Sequence, residues 1–158
     1  MDYLTIKWLH VLSSTVLFGT GIGSAFYLLL AHLGGEVDMA AWMSRRVVLA
    51  DWLFTASTAV LQPLTGVWLL RQARLPASTP WVAQSIALYA VAIACWLPVV
   101  WIQLRLRALA ARAQAEGALS LPVAWGRWVA AWTVLGAIAF VAFLLIFHLM
   151  VVKRLPFA

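Results

Sequence analysis

Apolar residues run through this chain in four long stretches, each bounded by charge, proline or tryptophan. They extend from about Trp8 to Leu33, Trp52 to Leu70, Trp81 to Leu104 and Val129 to Val152. Each is long enough for the roughly 20 residues that cross a bilayer core. Lipid offers no water to pair with backbone N–H and C=O groups, so such stretches must be helical. The short alternating segments of a strand barrel do not occur. The pattern predicts an all-α fold, an integral membrane four-helix bundle forming a single transmembrane domain over 1-158. Its helices are expected at about 3-33, 47-70, 81-110 and 126-153.

Composition agrees with a membrane solvent. The chain of 158 residues is 65% hydrophobic and 10% charged, whereas a soluble domain carries about 25% charged residues. The net charge of +6 does not mark a nucleic-acid binder, because nearly all the Lys and Arg flank the apolar runs, where anionic headgroups lie. Trp8, Trp42, Trp52, Trp68, Trp81, Trp125 and Trp128 fall near the predicted helix ends, the usual depth for amphipathic rings. The opening Met-Asp-Tyr lacks the basic region of a cleaved signal, so the first helix is expected to stay in the mature protein. A single cysteine, Cys95, excludes intramolecular disulfides.

Four spans place the N-terminus, the second loop and the C-terminus on one membrane face. Lys7, Arg71, Arg74, Lys153 and Arg154 lie there. Arg45, Arg46, Arg105, Arg107, Arg112 and Arg127 lie on the other face. The small excess favours loops one and three in the cytoplasm, with both termini on the periplasmic side of a bacterial inner membrane.

Ionisable groups inside a membrane are costly, so each is a functional candidate. His10 lies near the start of helix one and His148 near the end of helix four. The helices are antiparallel, so both imidazoles fall at similar depth. Neutral imidazole is a common ligand of metals and of haem iron. Ser14, Leu17, Gly21 and Ser24 continue the His10 stripe, and the small residues among them leave room for a flat cofactor. Arg71, Arg74, Lys153 and Arg154 share that face and suit haem propionates. Met150 lies off the His148 face and is a lesser axial candidate. His32 lies about 33 Å from His10 along the helix and reads as interfacial.

Helix two carries a polar stripe, Asp51, Thr55, Thr58, Gln62 and Thr65, at steps of four and three. Such a stripe either packs on neighbouring helices or lines a wet cavity. Asp51 is expected to pair with Arg45, Arg46 or an arginine of loop three. Pro63 removes a backbone donor and frees a carbonyl around Ala59. Gly19 and Gly23 form a G-x-x-x-G, suited to bundle closure or to a homo-oligomer.

The stretches Asp51-Trp52-Leu53-Phe54-Thr55, Leu61-Gln62-Pro63-Leu64-Thr65-Gly66 and Trp96-Leu97-Pro98-Val99-Val100-Trp101 resemble a bacterial family of small integral membrane proteins. That resemblance covers most of the chain and implies the four-helix topology, with no particular activity. More distantly, Lys7-Trp8-Leu9-His10 followed by Phe18-Gly19, and the ending Val151 to Phe157, are similar to the membrane protoporphyrinogen IX oxidases. The resemblance implies a b-type haem ligated by His10. A lysine that follows a tryptophan early in that family's third helix is missing here, since Val82, Ala83, Gln84 and Ser85 follow Trp81. The membrane domain of copper-resistance proteins opens with a similar helix.

These readings lead to an expected function: a membrane protein binding haem b between helices one and four. His10 and His148 are its expected ligands, and its work is electron transfer or a redox reaction, alone or beside a larger redox partner. The alternative is a cofactor-free membrane subunit or small transporter that uses the polar face of helix two.

Overall fold

A computed structural model describes residues 2–153, and all of its regular structure is helical. Four helices follow one another: α1 Tyr3–Gly34, α2 Val37–Gln72, α3 Pro80–Ala115 and α4 Val123–Val152. Each is long and apolar enough to cross a membrane. Arg154 lies outside the described residues, so its place beside the histidines is not defined.

Helix α2 begins ten residues before the hydropathy pattern indicates. Gly35 closes α1 in the left-handed region at φ 71, where a side chain would be strained. The chain then turns directly into α2. Val37, Ala40, Ala41, Ser44, Val47 and Val48 are buried along one side of this first half. Its opposite side holds Asp38, Arg45 and Arg46, all exposed. Charge on that side lowers the average hydropathy and conceals an amphipathic helix. Loop one therefore shrinks to a two-residue turn, and Arg45 and Arg46 belong to helix α2.

Helices α2 and α3 are antiparallel, and hydrogen bonds pin their register at three levels. Gln114 Nε2 donates to Asp38 Oδ1 at 2.9 Å, and Trp96 Nε1 to Asp51 Oδ1 at 3.3 Å. The Tyr89 hydroxyl donates to the Ala59 carbonyl. That carbonyl lacks its in-helix donor because residue 63 is proline.

Helix α4 packs mainly on α3 and only thinly on α1. Two clasps join α1 to α4. At one, Phe18 lies 5.3 Å from Phe140 and 5.2 Å from Phe147, measured between ring centroids. At the other, Trp125 Nε1 donates to His32 Nδ1 at 3.2 Å. The dense core sits at this second end, where Leu28, Ala41, Val47, Leu106, Trp125 and Val129 pack together. Trp125 is therefore a core residue, not a ring of the interfacial belt.

Candidate functional site

The polar stripe of α2 faces inward over its whole length, but its two halves do different work. Gln62 donates to the His10 carbonyl at 2.8 Å and to Ser13 Oγ at 2.5 Å. The Thr65 hydroxyl lies 2.7 Å from His10 Nδ1. These bonds lace α1 to α2. Thr58 is satisfied within its own helix, donating to Phe54 and Thr55 carbonyls. Asp51 and Thr55 remain, and they belong to a different environment.

They sit on a π-helical turn, Asp51–Ala56, inserted in α2. Such turns widen the helix by one residue per turn and recur at functional sites. Asp51 and Thr55 line a cavity of about 420 Å³ in the middle of the bundle. Its walls are largely apolar and aromatic, with Phe18, Trp96, Trp132, Phe140 and Phe143 among them. Ser24, Gln103 and Thr133 add polar atoms.

Polar groups around this cavity are under-satisfied. Asp51 is 6% exposed, and its carboxylate takes one long bond from Trp96. Among the described residues no arginine bonds to it, where the sequence suggests one: Arg45 and Arg46 lie on the exposed side of α2. The Thr55 hydroxyl, one turn on from Asp51, stops short of a well-formed hydrogen bond. The Trp132 indole N–H is buried without a partner among the described residues. Burying such a group unpaired costs on the order of 1–3 kcal/mol, and Thr55 and Trp132 both line this one cavity.

The cavity reaches the bilayer sideways. Gly21, Ile22 and Phe26 of α1 and Ala137 and Phe140 of α4 line it and are also exposed. Between the two clasps the helices part, and Gly21 and Gly136 border the gap. A Cβ on either glycine would meet nothing within 4 Å. Gly19 and Gly23 also have open space around them, so the G-x-x-x-G does not close this bundle.

The histidines lie elsewhere. Thr65 Oγ1 lies 2.7 Å both from the Leu61 carbonyl, to which it donates, and from His10 Nδ1. His148 is exposed. It follows Phe147 by one residue, about 100° round the helix, and Phe147 is the ring that packs on α1. Among the described residues no hydrogen bond joins His148 to His10 or to its partner Thr65. Arg71, Arg74 and Lys153 are exposed at the helix ends of the same membrane face. Ser14 bonds back to its own Val11 carbonyl at 2.7 Å, and Gly21 borders the cavity instead of the imidazoles. His32, as acceptor from Trp125, is structural.

The sequence matches the family of predicted integral membrane proteins (DUF2269) over residues 4–154. The chain belongs to this family. No curated protein and no solved structure matches it. The likeness to the protoporphyrinogen IX oxidases and copper-resistance domains rests on short terminal segments alone.

Several residues of this family member's cavity escape a reading of the sequence: Trp96, Gln103 and Trp132. A signal was nonetheless present. Seven of the ten tryptophans fall near the ends expected from hydropathy, and Trp96, Trp101 and Trp132 do not. Two of those three line the cavity. Gln103, inside an apolar run, is the same kind of signal.

Proposed function

We propose that this protein is a membrane-embedded receptor or carrier for a small lipid-soluble molecule. The molecule would enter between α1 and α4 and be held in the central cavity. The observation that carries this reading is the pair of unpartnered groups, Thr55 and Trp132, beside Asp51 with its one long bond from Trp96, around an otherwise apolar chamber open to lipid. Their chemistry defines the occupant. An indole N–H requires an acceptor, a carboxylate requires a donor, and aromatic walls favour a ring. A phenol or a similar hydroxylated ring satisfies all three.

The test is calorimetric titration of the protein in nanodiscs, with empty nanodiscs as the blank. The probes are 4-pentylphenol, 4-pentylanisole and pentylbenzene. The reading predicts tightest binding for the phenol, by about tenfold over pentylbenzene, the equivalent of one charge-assisted hydrogen bond. Thr55→Val and Asp51→Asn should reduce that preference. Equal partitioning of all three probes, unaffected by either substitution, would contradict it.

A second reading keeps haem b, and one observation favours it. Thr65 Oγ1, which donates to the Leu61 carbonyl, can accept from His10 Nδ1–H, and in that tautomer Nε2 is free to bind a metal. In this reading His10 and His148 would hold the iron, and Arg71, Arg74 and Lys153 would meet the propionates. A bound haem would supply one-electron redox chemistry. A reduced-minus-oxidised spectrum of the purified protein decides it. A b-type signal lost in His10→Ala supports this reading, and a protein that stays colourless after haem is added excludes it.

A further inference from the structure

A second cleft lies away from the cavity, on the face that carries loops one and three. Helices α2 and α3 bring Arg45, Arg46 and Arg107 to one opening of about 470 Å³. Its remaining lining is apolar: Val48, Leu49, Trp52 and Leu104. All three guanidinium groups belong to exposed residues.

Their charge is not matched by the protein. Among the described residues the one ion pair is Arg112 with Glu116 at 2.7 Å, outside the cleft. Asp38 accepts from Gln114 Nε2 at 2.9 Å, and Arg45 reaches only the neutral Oε1 of that same amide at 3.3 Å. Arg46 lies over the Trp42 ring at 5.2 Å, and nearby Arg105 over Trp101 at 5.0 Å. Arginine stacked on an exposed tryptophan is at home where hydrocarbon gives way to headgroups. The cleft therefore has two zones in series, a cationic mouth and an apolar wall.

A free phosphate would use the mouth and gain nothing from the wall. A zwitterionic lipid would use the wall but brings its own cation to the mouth. A lipid with a phosphodiester and no ammonium group uses both. Guanidinium forks match phosphate oxygens in shape as well as charge, and basic clefts between membrane helices recognise such headgroups. We propose that the α2–α3 cleft binds one anionic phospholipid, its phosphate on Arg45, Arg46 and Arg107 and an acyl chain along Val48, Leu49, Trp52 and Leu104. This proposal is independent of the occupant of the central cavity.

Native mass spectrometry of protein released from nanodiscs of mixed phosphatidylethanolamine and phosphatidylglycerol tests it. The wild type should retain phosphatidylglycerol over phosphatidylethanolamine by about tenfold or more. Arg46→Gln/Arg107→Gln should lose that preference. Arg112→Gln/Arg127→Gln removes two charges from the same membrane face outside the cleft and should keep it. Millimolar inorganic phosphate should leave the retained lipid in place. Equal retention of the two lipids by the wild type, equal loss in both double variants, or displacement by inorganic phosphate would overturn the proposal. A circular-dichroism melt of each variant separates loss of binding from loss of fold.

Discussion

Tyr89 of α3 donates its hydroxyl to the carbonyl of Ala59 on α2, the group that Pro63 deprives of its usual donor. In water a freed carbonyl finds a solvent partner. In hydrocarbon it must find one on a neighbouring helix. The proline is thus tolerated because a tyrosine thirty residues beyond that carbonyl is held at the matching depth. The bond also sets the register that brings Trp96 to Asp51 and Gln114 to Asp38.

This dependence is open to a double-mutant cycle. Tyr89→Phe should destabilise the protein by about 1–2 kcal/mol, the usual cost of a buried acceptor left unpaired. Pro63→Ala restores an in-helix donor, so Tyr89→Phe in that background should cost less than half as much. Thermal unfolding of the four proteins in one detergent measures both numbers. Equal costs in the two backgrounds would show that the tyrosine does not serve the proline.

Asp51 provides a sharper contrast between stability and function. Its carboxyl group is buried with one long hydrogen bond from Trp96, and burying a poorly paired acid is unfavourable, most of all when it ionises. Asparagine keeps an acceptor for the indole and cannot ionise. Asp51→Asn should therefore melt at the same temperature as the wild type or higher, while the preference for a phenolic probe falls. A protein that melts much lower would assign Asp51 a structural role.

His32 is predicted to matter for folding alone. It accepts from the indole of Trp125, which is 1% exposed in the core. His32→Leu leaves that N–H unpaired and should cost about 1–3 kcal/mol. Combining it with Trp125→Phe removes the donor as well, and the added cost beyond Trp125→Phe alone should be small. Unfolding measurements check this, and cavity binding should survive in His32→Leu below its lowered melting temperature.

Much of this architecture is legible in the sequence. Four apolar runs lead to four spans, and the steps from Asp51 to Thr65 lead to one inward face, because hydropathy and helical period are local properties. The missing part is what depends on neighbours. The first half of α2 is concealed because its charged side offsets Ala40, Ala41 and Val47 in any average along the chain. The depths of His10 and His148 can be read from helix direction, but the rotation of α4 that exposes His148 is set by Phe143 and Phe147 packing on Phe18. Asp51 suggests an arginine partner by charge, whereas the fold offers an indole from α3.

The same limit applies to the cavity. Gly21 and Gly136 are separated widely in sequence, and only the splay of α1 from α4 makes them its borders. The π-helical turn at Asp51 cannot be read from residue types, since neither glycine nor proline marks it.

The most direct measurement is native mass spectrometry of the protein released from its own membranes, wild type beside Gly136→Leu. A Cβ at that position meets nothing within 4 Å, and Gly136 lines the chamber, so a leucine there should take up chamber volume while the backbone stays in place. The account predicts that the wild type carries a small non-phospholipid molecule and that an equally stable Gly136→Leu does not. The same molecule retained by both proteins, or none found on the wild type even after incubation with the phenolic probe, would contradict it.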